Sequence, residues 1–289
     1  MTVMRQNLYG RSLAEIQEIL GPLTDRPFHA RQLYGWIHSR GERDFSRMSN
    51  LPLPLRSALA GRYRIALPGM EARQKSRDGT IKYLLRLEDG KAVEAVAIPE
   101  AGRITLCISS QIGCPLACTF CLTGRMGLVR NLTPGEILGQ AAVLSADHHL
   151  LANEYNLVLM GMGEPLHNYD SVLAAFRILS DPEGFGIAPR HVTLSTAGVI
   201  PGLLRLAKEK PRPRIAVCAL NPDGSMETIG NKPPAGLCGS GLVDAVALLL
   251  ERGCIVIRLC LNSIRMIRPI GEFRRCLAAQ ERVRLMGVP

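Results

Sequence analysis

At 289 residues with 47% hydrophobic content, the chain can bury one large core and a smaller one, and its composition excludes a disordered protein. No apolar run reaches the roughly 20 residues that span a bilayer, no signal-peptide pattern follows Met1, and nine cysteines suit a reducing compartment, so a soluble cytoplasmic protein with no membrane partner is expected. The net charge of +10 points to a polyanionic partner, with 15 Arg and Lys against 9 Asp and Glu in residues 1–90 and seven against two in 256–289.

Residues 10–21 place Leu13, Ile16, Ile19 and Leu20 at helical spacing, with Ser12 positioned as a cap and Gly21-Pro22 as a stop. The spacing predicts a second helix over 29–38, with Leu33, Trp36 and Ile37 on one face, and a third over 53–59. This helical pattern ends near Arg62, which sets a first unit at 1–62. Alternation at 80–87 and 92–98 about Glu88-Asp89-Gly90 predicts a β-hairpin within a short linking unit, 63–102. From residue 103 onward, apolar β-rich runs at 104–109, 155–161, 191–196, 214–218 and 254–261 alternate with helical stretches at 133–147, 171–179, 198–208 and 241–252. Alternation of this kind belongs to parallel βα units. The fold class expected is therefore α/β, a partial (β/α) barrel with its chemistry at the C-terminal ends of the strands. No internal repeat and no low-complexity tract interrupts the pattern.

Cys114, Cys118 and Cys121 follow the first of these strands in a C-x3-C-x2-C run, with Phe120 before the last cysteine. Soft thiolates at such intervals favour iron–sulfur or zinc binding over packing. Three protein ligands would leave one iron of a [4Fe–4S] cluster for a molecule that chelates through an amine and a carboxylate, as S-adenosylmethionine does. Electron transfer into its sulfonium would then release a 5′-deoxyadenosyl radical. A zinc knuckle lacking a ligand, or three buried thiols, are the alternatives, and the lack of a nearby His or fourth Cys fits zinc poorly.

Phe28-His29-Ala30-Arg31-Gln32-Leu33-Tyr34-Gly35-Trp36-Ile37, the run from Arg103 to Cys114, and Arg130-Asn131-Leu132-Thr133 with Glu136-Ile137-Leu138-Gly139-Gln140 stand in that order along the chain. Met160-Gly161-Met162-Gly163-Glu164-Pro165-Leu166 and Val192-Thr193-Leu194-Ser195-Thr196-Ala197-Gly198 follow them. On these motifs, roughly residues 10–217 resemble the RlmN family of radical S-adenosylmethionine adenine-C2 methyltransferases, which act on 23S ribosomal RNA and transfer RNA. The resemblance implies that Cys114, Cys118 and Cys121 hold a [4Fe–4S] cluster, and that Gly163, Glu164 and Ser195 contact S-adenosylmethionine. It also implies that Glu94 is the general base and that Cys107 resolves a covalent RNA–protein intermediate through a transient disulfide. Read singly, Glu94 is a solvated strand residue, Ser195 a strand-end cap, Cys107 a small core group and Gly163 a turn residue; their ordered spacing about the cysteine loop favours the functional assignment. In such a family the methyl group passes first to a protein cysteine, because adenine carbon 2 is too weak a nucleophile to attack a sulfonium directly. The 1–62 unit would be an accessory RNA-binding domain and 103–217 the radical core. A low-potential electron donor of flavodoxin or ferredoxin type would be a partner.

The resemblance ends near Val217, and no role carries over to 218–221. Residues 227–246, with Gly236-Leu237-Cys238-Gly239-Ser240-Gly241, resemble a fragment of the ATPase-type domain of corrinoid-protein activators; as a bare pattern they read as a glycine turn capped by Ser240. The family's methyl-carrying cysteine lies in a C-terminal segment, and Cys254, Cys260 and Cys276 stand in none of the matching surroundings. The expectation is a barrel incomplete at its C-terminus, with 218–289 divergent, rearranged or truncated, and a chain without its methyl carrier. The alternative readings are a catalytically inactive RNA- or cluster-binding remnant and a different radical S-adenosylmethionine enzyme.

Overall fold

The computed structural model describes residues 5–100, 102–116, 118, 121–217, 219, 220, 226 and 227. In chain order the elements are β1 (Gln6–Asn7), α1 (Leu13–Leu20), α2 (Phe28–His38), α3 (Leu53–Arg62), β2 (Tyr63–Arg64), β3 (Gly69–Lys75), β4 (Ile81–Arg86), β5 (Ala92–Glu100) and β6 (Arg103–Cys107). There follow β7 (Gln111–Gly113), α4 (Leu122–Arg125), β8 (Leu128–Asn131), α5 (Pro134–Asp147), β9 (Tyr155–Leu159), α6 (Tyr169–Ser180), β10 (Val192–Thr196), α7 (Ile200–Leu206), β11 (Arg214–Val217), β12 (Ala219–Leu220) and β13 (Met226–Glu227). The expected strand at 254–261, the expected helix at 241–252 and all but the first residue of the activator-like stretch lie outside the described residues.

Seven strands form one sheet in the order β11-β10-β9-β6-β5-β4-β3. From β6 to β11 the neighbours are parallel, as the strand–helix alternation requires. From β6 to β3 they are antiparallel, because the expected hairpin turns directly into β6 and hydrogen-bonds along it from Val96↔Cys107 to Glu100↔Arg103. The hairpin is thus an antiparallel wing of the core sheet rather than a separate link. Its outer strand, β3, has every residue exposed and carries Glu71, Arg73 and Lys75, charges that keep an open edge from pairing with other chains.

The sheet buries one face against α5 and α6. Tyr83, Leu85, Val93, Ala95, Ala97, Leu106, Leu157 and Leu194 alternate with more exposed neighbours and join Ile137, Leu138, Leu144, Val172, Phe176 and Leu179 in one apolar cluster. Each Val, Leu, Ile or Phe side chain so removed from water stabilises the fold by about 1.5–3 kcal/mol. The helices begin where local chemistry places them. Ser12 and Glu15 exchange hydrogen bonds as a capping box at α1. Thr133 and Glu136 repeat the arrangement at α5, with Pro134 at its first turn. The N-terminal helices are pinned to the core by Tyr34 Oη, which donates to Asp181 Oδ2 at 3.0 Å, and by an ion pair between Arg31 and Glu183 at 3.0 Å. His38 packs beside Tyr34 and Phe185, and burial drives its pKa down to about 4.

Candidate active site

Strand register gathers the sequence-predicted catalytic residues onto the sheet face opposite α5 and α6. Cys107 ends β6, paired with Val96 of β5 and Val158 of β9, and Thr193 of β10 continues that row. Successive side chains in a strand point to opposite faces. Glu94, two residues from Val96, therefore shares the face of Cys107, and Ser195, two residues from Thr193, shares it as well. Diagonal neighbours across an antiparallel pair lie roughly 7–8 Å apart, which puts Glu94 and Cys107 within the span of one nucleobase. Glu94 Oε1 accepts from Lys82 Nζ at 2.6 Å, and both side chains are about half exposed. An ion pair so open to water contributes about 0–1 kcal/mol, so it orients the carboxylate without locking it.

The cysteine loop hangs from the C-terminal end of β6. Gly113 has φ +74 and sits where the 127–128 backbone crosses; a Cβ there would lie 1.8 Å from Gly127 O. That crossing lets Cys114 N donate to Gly127 O at 3.1 Å and closes the loop at its base. Inside it, Cys121 N donates to Cys118 O at 3.1 Å, and Cys121 precedes α4. Cys114 is buried, while Cys118 and Cys121 are half-buried. Among the described residues no three His, Cys, Asp or Glu side chains converge as a formed metal site. The donor set nevertheless suits a thiophilic cluster: three thiols on one backbone-closed loop, with no hard oxygen ligand among them.

A buried hydrogen-bond network fixes this loop to the rest of the site. The Ser109 hydroxyl donates to Glu94 O at 2.6 Å and accepts from Met162 N at 2.8 Å. Gln140, fully buried on α5, accepts from Ser109 N at 2.8 Å and donates to Ser109 O at 2.9 Å, serving that residue as a neighbouring strand would. Gln111 accepts from Glu164 N at 2.8 Å and donates to Asn131 Oδ1 at 2.7 Å. Asn168 donates to both Ser110 O and Leu132 O at 2.8 Å. Gly163 is required twice over: its φ is +101, and a Cβ would lie 2.5 Å from Gln111 Cβ.

Glu164 is 3% exposed, and its two carboxylate oxygens accept from Leu166 N at 3.0 Å and Ala197 N at 2.9 Å, joining the loops after β9 and β10. A carboxylate offers about four acceptor positions, which leaves capacity for a ligand ammonium. On the outer side, Arg130 grips Glu136 through two bonds of 2.7 and 2.9 Å and Asp89 at 2.9 Å, tying the hairpin tip to α5. The Arg130 guanidinium holds the Asp89 carboxyl below the usual carboxylate range.

Sequence reasoning assigned no role to Ser109, Gln111, Gln140 or Asn168. One signal for Gln140 was present: it is a lone polar residue on the helix face formed by Ile137, Leu138, Ala141 and Leu144. A polar group placed there must find a partner. Ser109 and Gln111 sit beside the cysteine run, but the bonds that define them come from residues 15 to 53 positions away.

Residues 6–65 match the ribosomal RNA large subunit methyltransferase N-terminal domain, and 108–264 match the radical SAM superfamily, a match that continues past Val217. A dual-specificity RNA methyltransferase RlmN from Syntrophotalea carbinolica is 49% identical over 205 residues, covering 71% of this chain and 54% of its own length. The same-named protein of Dinoroseobacter shibae is 44% identical over 223 residues, covering 71% and 56%. The chain thus spans about half the length of the curated relatives it matches. A crystal structure of a radical SAM methyltransferase from Sphaerobacter thermophilus superposes with a TM-score of 0.67 at 37% identity, over 73% of this chain and 63% of the other. No helix among the described residues is long and apolar enough to cross a membrane. With the radical SAM match spanning more than half of its residues, the chain belongs to the radical SAM superfamily, and over the stretches above it is similar to the RlmN methyltransferases.

Proposed function

We propose that the chain serves in methylation of adenine C2 in 23S ribosomal RNA and transfer RNA, working in the cytoplasm with S-adenosylmethionine, a [4Fe–4S] cluster and a low-potential electron donor. The observation that carries this reading is the common sheet face of Glu94 and Cys107 beside the loop of Cys114, Cys118 and Cys121. These three thiols would hold the cluster. When bound with S-adenosylmethionine, the cluster supplies the one-electron chemistry that activates an otherwise inert carbon–hydrogen bond.

The chain's own residues would do the rest. The Gly163–Glu164 turn and Ser195 would receive the cofactor's amino acid end, with Glu164 presenting a carboxylate to its ammonium in a buried setting where such a bond is strong. Glu94 would take the proton from adenine carbon 2, and its 2.6 Å contact with Lys82 would aim the carboxylate across the sheet face. Where a methyl-carrying cysteine is supplied, the Cys107 thiolate, one diagonal step from Glu94, would attack its sulfur, forming a disulfide as the sulfur–carbon bond to the base breaks and the freed carbon takes up a proton. Ser109 and Gln140 would keep these groups in register by fixing the end of β6. The helical module at 1–62 would meet the RNA backbone.

The test is incubation of the anaerobically reconstituted chain with S-adenosylmethionine, a reductant and ribosomal or transfer RNA, followed by nucleoside analysis. Formation of 2-methyladenosine is the expected result. Cofactor cleavage to 5′-deoxyadenosine with unmodified RNA would refute methyl transfer by this chain while leaving its cluster assignment intact.

A further inference from the structure

Outside the sheet face, α2 and the turn after α6 enclose a hollow of about 280 Å³ whose lining has no part in the chemistry above. Its wall includes Arg31, Gln32, Trp36 and Arg40 from α2 and its end, Asn50 from the approach to α3, and Glu183. The indole is held in place, because Trp36 Nε1 donates to Asn50 Oδ1 at 2.5 Å. Arg40 lays its guanidinium 4.1 Å from the centre of that ring. Arg31 reaches Glu183 at 3.0 Å, so the acid is already neutralised and Arg40 leaves the hollow net positive.

These features ask for one kind of ligand. A stacked indole and guanidinium offer a platform to a flat π system. Guanidinium groups at the rim suit phosphate oxygens. An acidic peptide would use the arginines but leave the indole unengaged, whereas a nucleotide engages both.

We propose that this hollow binds one unpaired nucleotide of an RNA, its base stacked on the Trp36–Arg40 pair and its phosphate beside Arg31 and Arg40. The inference rests on the reading of the chain as an RNA-modifying protein and adds to it a second contact, on residues distinct from those that face the reacting adenine. Such a contact would fix the position of the RNA along the protein through a base that is not itself modified.

Trp36 is the only tryptophan in the chain, so intrinsic emission reports on this hollow alone. The full chain is titrated with a short dye-labelled single-stranded RNA while dye anisotropy and tryptophan emission are followed together. Emission should be quenched in step with the rise in anisotropy. An abasic strand of equal length and charge should bind roughly tenfold more weakly and leave the emission unchanged. Trp36→Leu, followed by anisotropy alone, should weaken the base-bearing strand roughly fivefold or more and leave the abasic strand unaffected, which also shows that the variant is folded. A rise in anisotropy with constant emission overturns the hollow and leaves the RNA reading standing. Equal quenching by the abasic strand, or by an acidic peptide, overturns it too. No anisotropy change with any RNA overturns both.

Discussion

Replacing Gln140 by Leu tests whether α5 and the end of β6 are joined through one amide. The side chain bridges Ser109 N and Ser109 O at 2.8 and 2.9 Å, in a place with no exposure to water. Leucine has nearly the same volume but can bond neither group, so two buried backbone atoms lose these partners. Each such loss costs about 1–3 kcal/mol, giving about 4 kcal/mol for the pair. The third bond, to Glu136 O at 3.2 Å, adds little, because that carbonyl keeps its place in the helix ladder. For a chain of this size 1 kcal/mol moves Tm by about 2–4 °C, so a fall of roughly 8–16 °C is expected. Thermal unfolding followed by far-UV circular dichroism measures it. Lys82→Ala is the comparison, since its half-exposed ion pair should be worth less than about 1 kcal/mol. A Gln140→Leu shift below roughly 2 °C, or one no larger than that of Lys82→Ala, would refute the argument.

Gly163→Ala combines a left-handed φ of +101 with a Cβ 2.5 Å from Gln111, and should destabilise the chain by about 2–4 kcal/mol in urea unfolding; a wild-type midpoint would mean the turn relaxes freely. His38 has a folded pKa of about 4 against 6.5 unfolded, so the unfolded state binds the proton first as pH falls. Stability should therefore be intact above pH 6.5 and be lost progressively between pH 6.5 and 4. Between pH 7.5 and 5.0 this amounts to about 2 kcal/mol, which a His38→Leu variant should lack; an unchanged pH slope in that variant would exclude His38 as the source. Cys118→Ala should reduce iron after anaerobic reconstitution from about four per chain to less than one, and retention of the parent's iron content would remove Cys118 from the ligand set.

The helices and parallel strands were legible because each has a period and a boundary. Ser12 marks the start of α1 and Thr133 that of α5, and the runs near 104, 155, 192 and 214 carry the apolar alternation of strands packed on helices. The strand Gly69–Lys75 was missed for a physical reason. It is exposed on both sides, so no hydrophobic alternation distinguishes it from a loop, and only its pairing with β4 makes it a strand. Attachment of the hairpin to β6 was hidden in the same way, since backbone pairing leaves no mark on side-chain composition. At the site, residue identities could be read but not their neighbours. Cys107 and Glu94 are thirteen positions apart, and only the β5–β6 register shows that their side chains share a face. Glu164 was expected to meet a cofactor, and nothing in the chain order announced its bond to Ala197 N, which depends on how two successive βα loops fold over each other.

The hydroxyl of Ser109 lies between the carbonyl of Glu94 and the amide of Met162. A single oxygen atom is thus the spacer separating the strand that carries Glu94 from the loop that leads to Gly163. Whatever shifts one of these segments drags the other with it, so their alignment is settled when the protein folds and not when a ligand arrives. Trimming that oxygen to a methyl hydrogen, or widening it to sulfur, would change the gauge between them by a fraction of an ångström while leaving Glu94, Gly163 and Glu164 chemically intact.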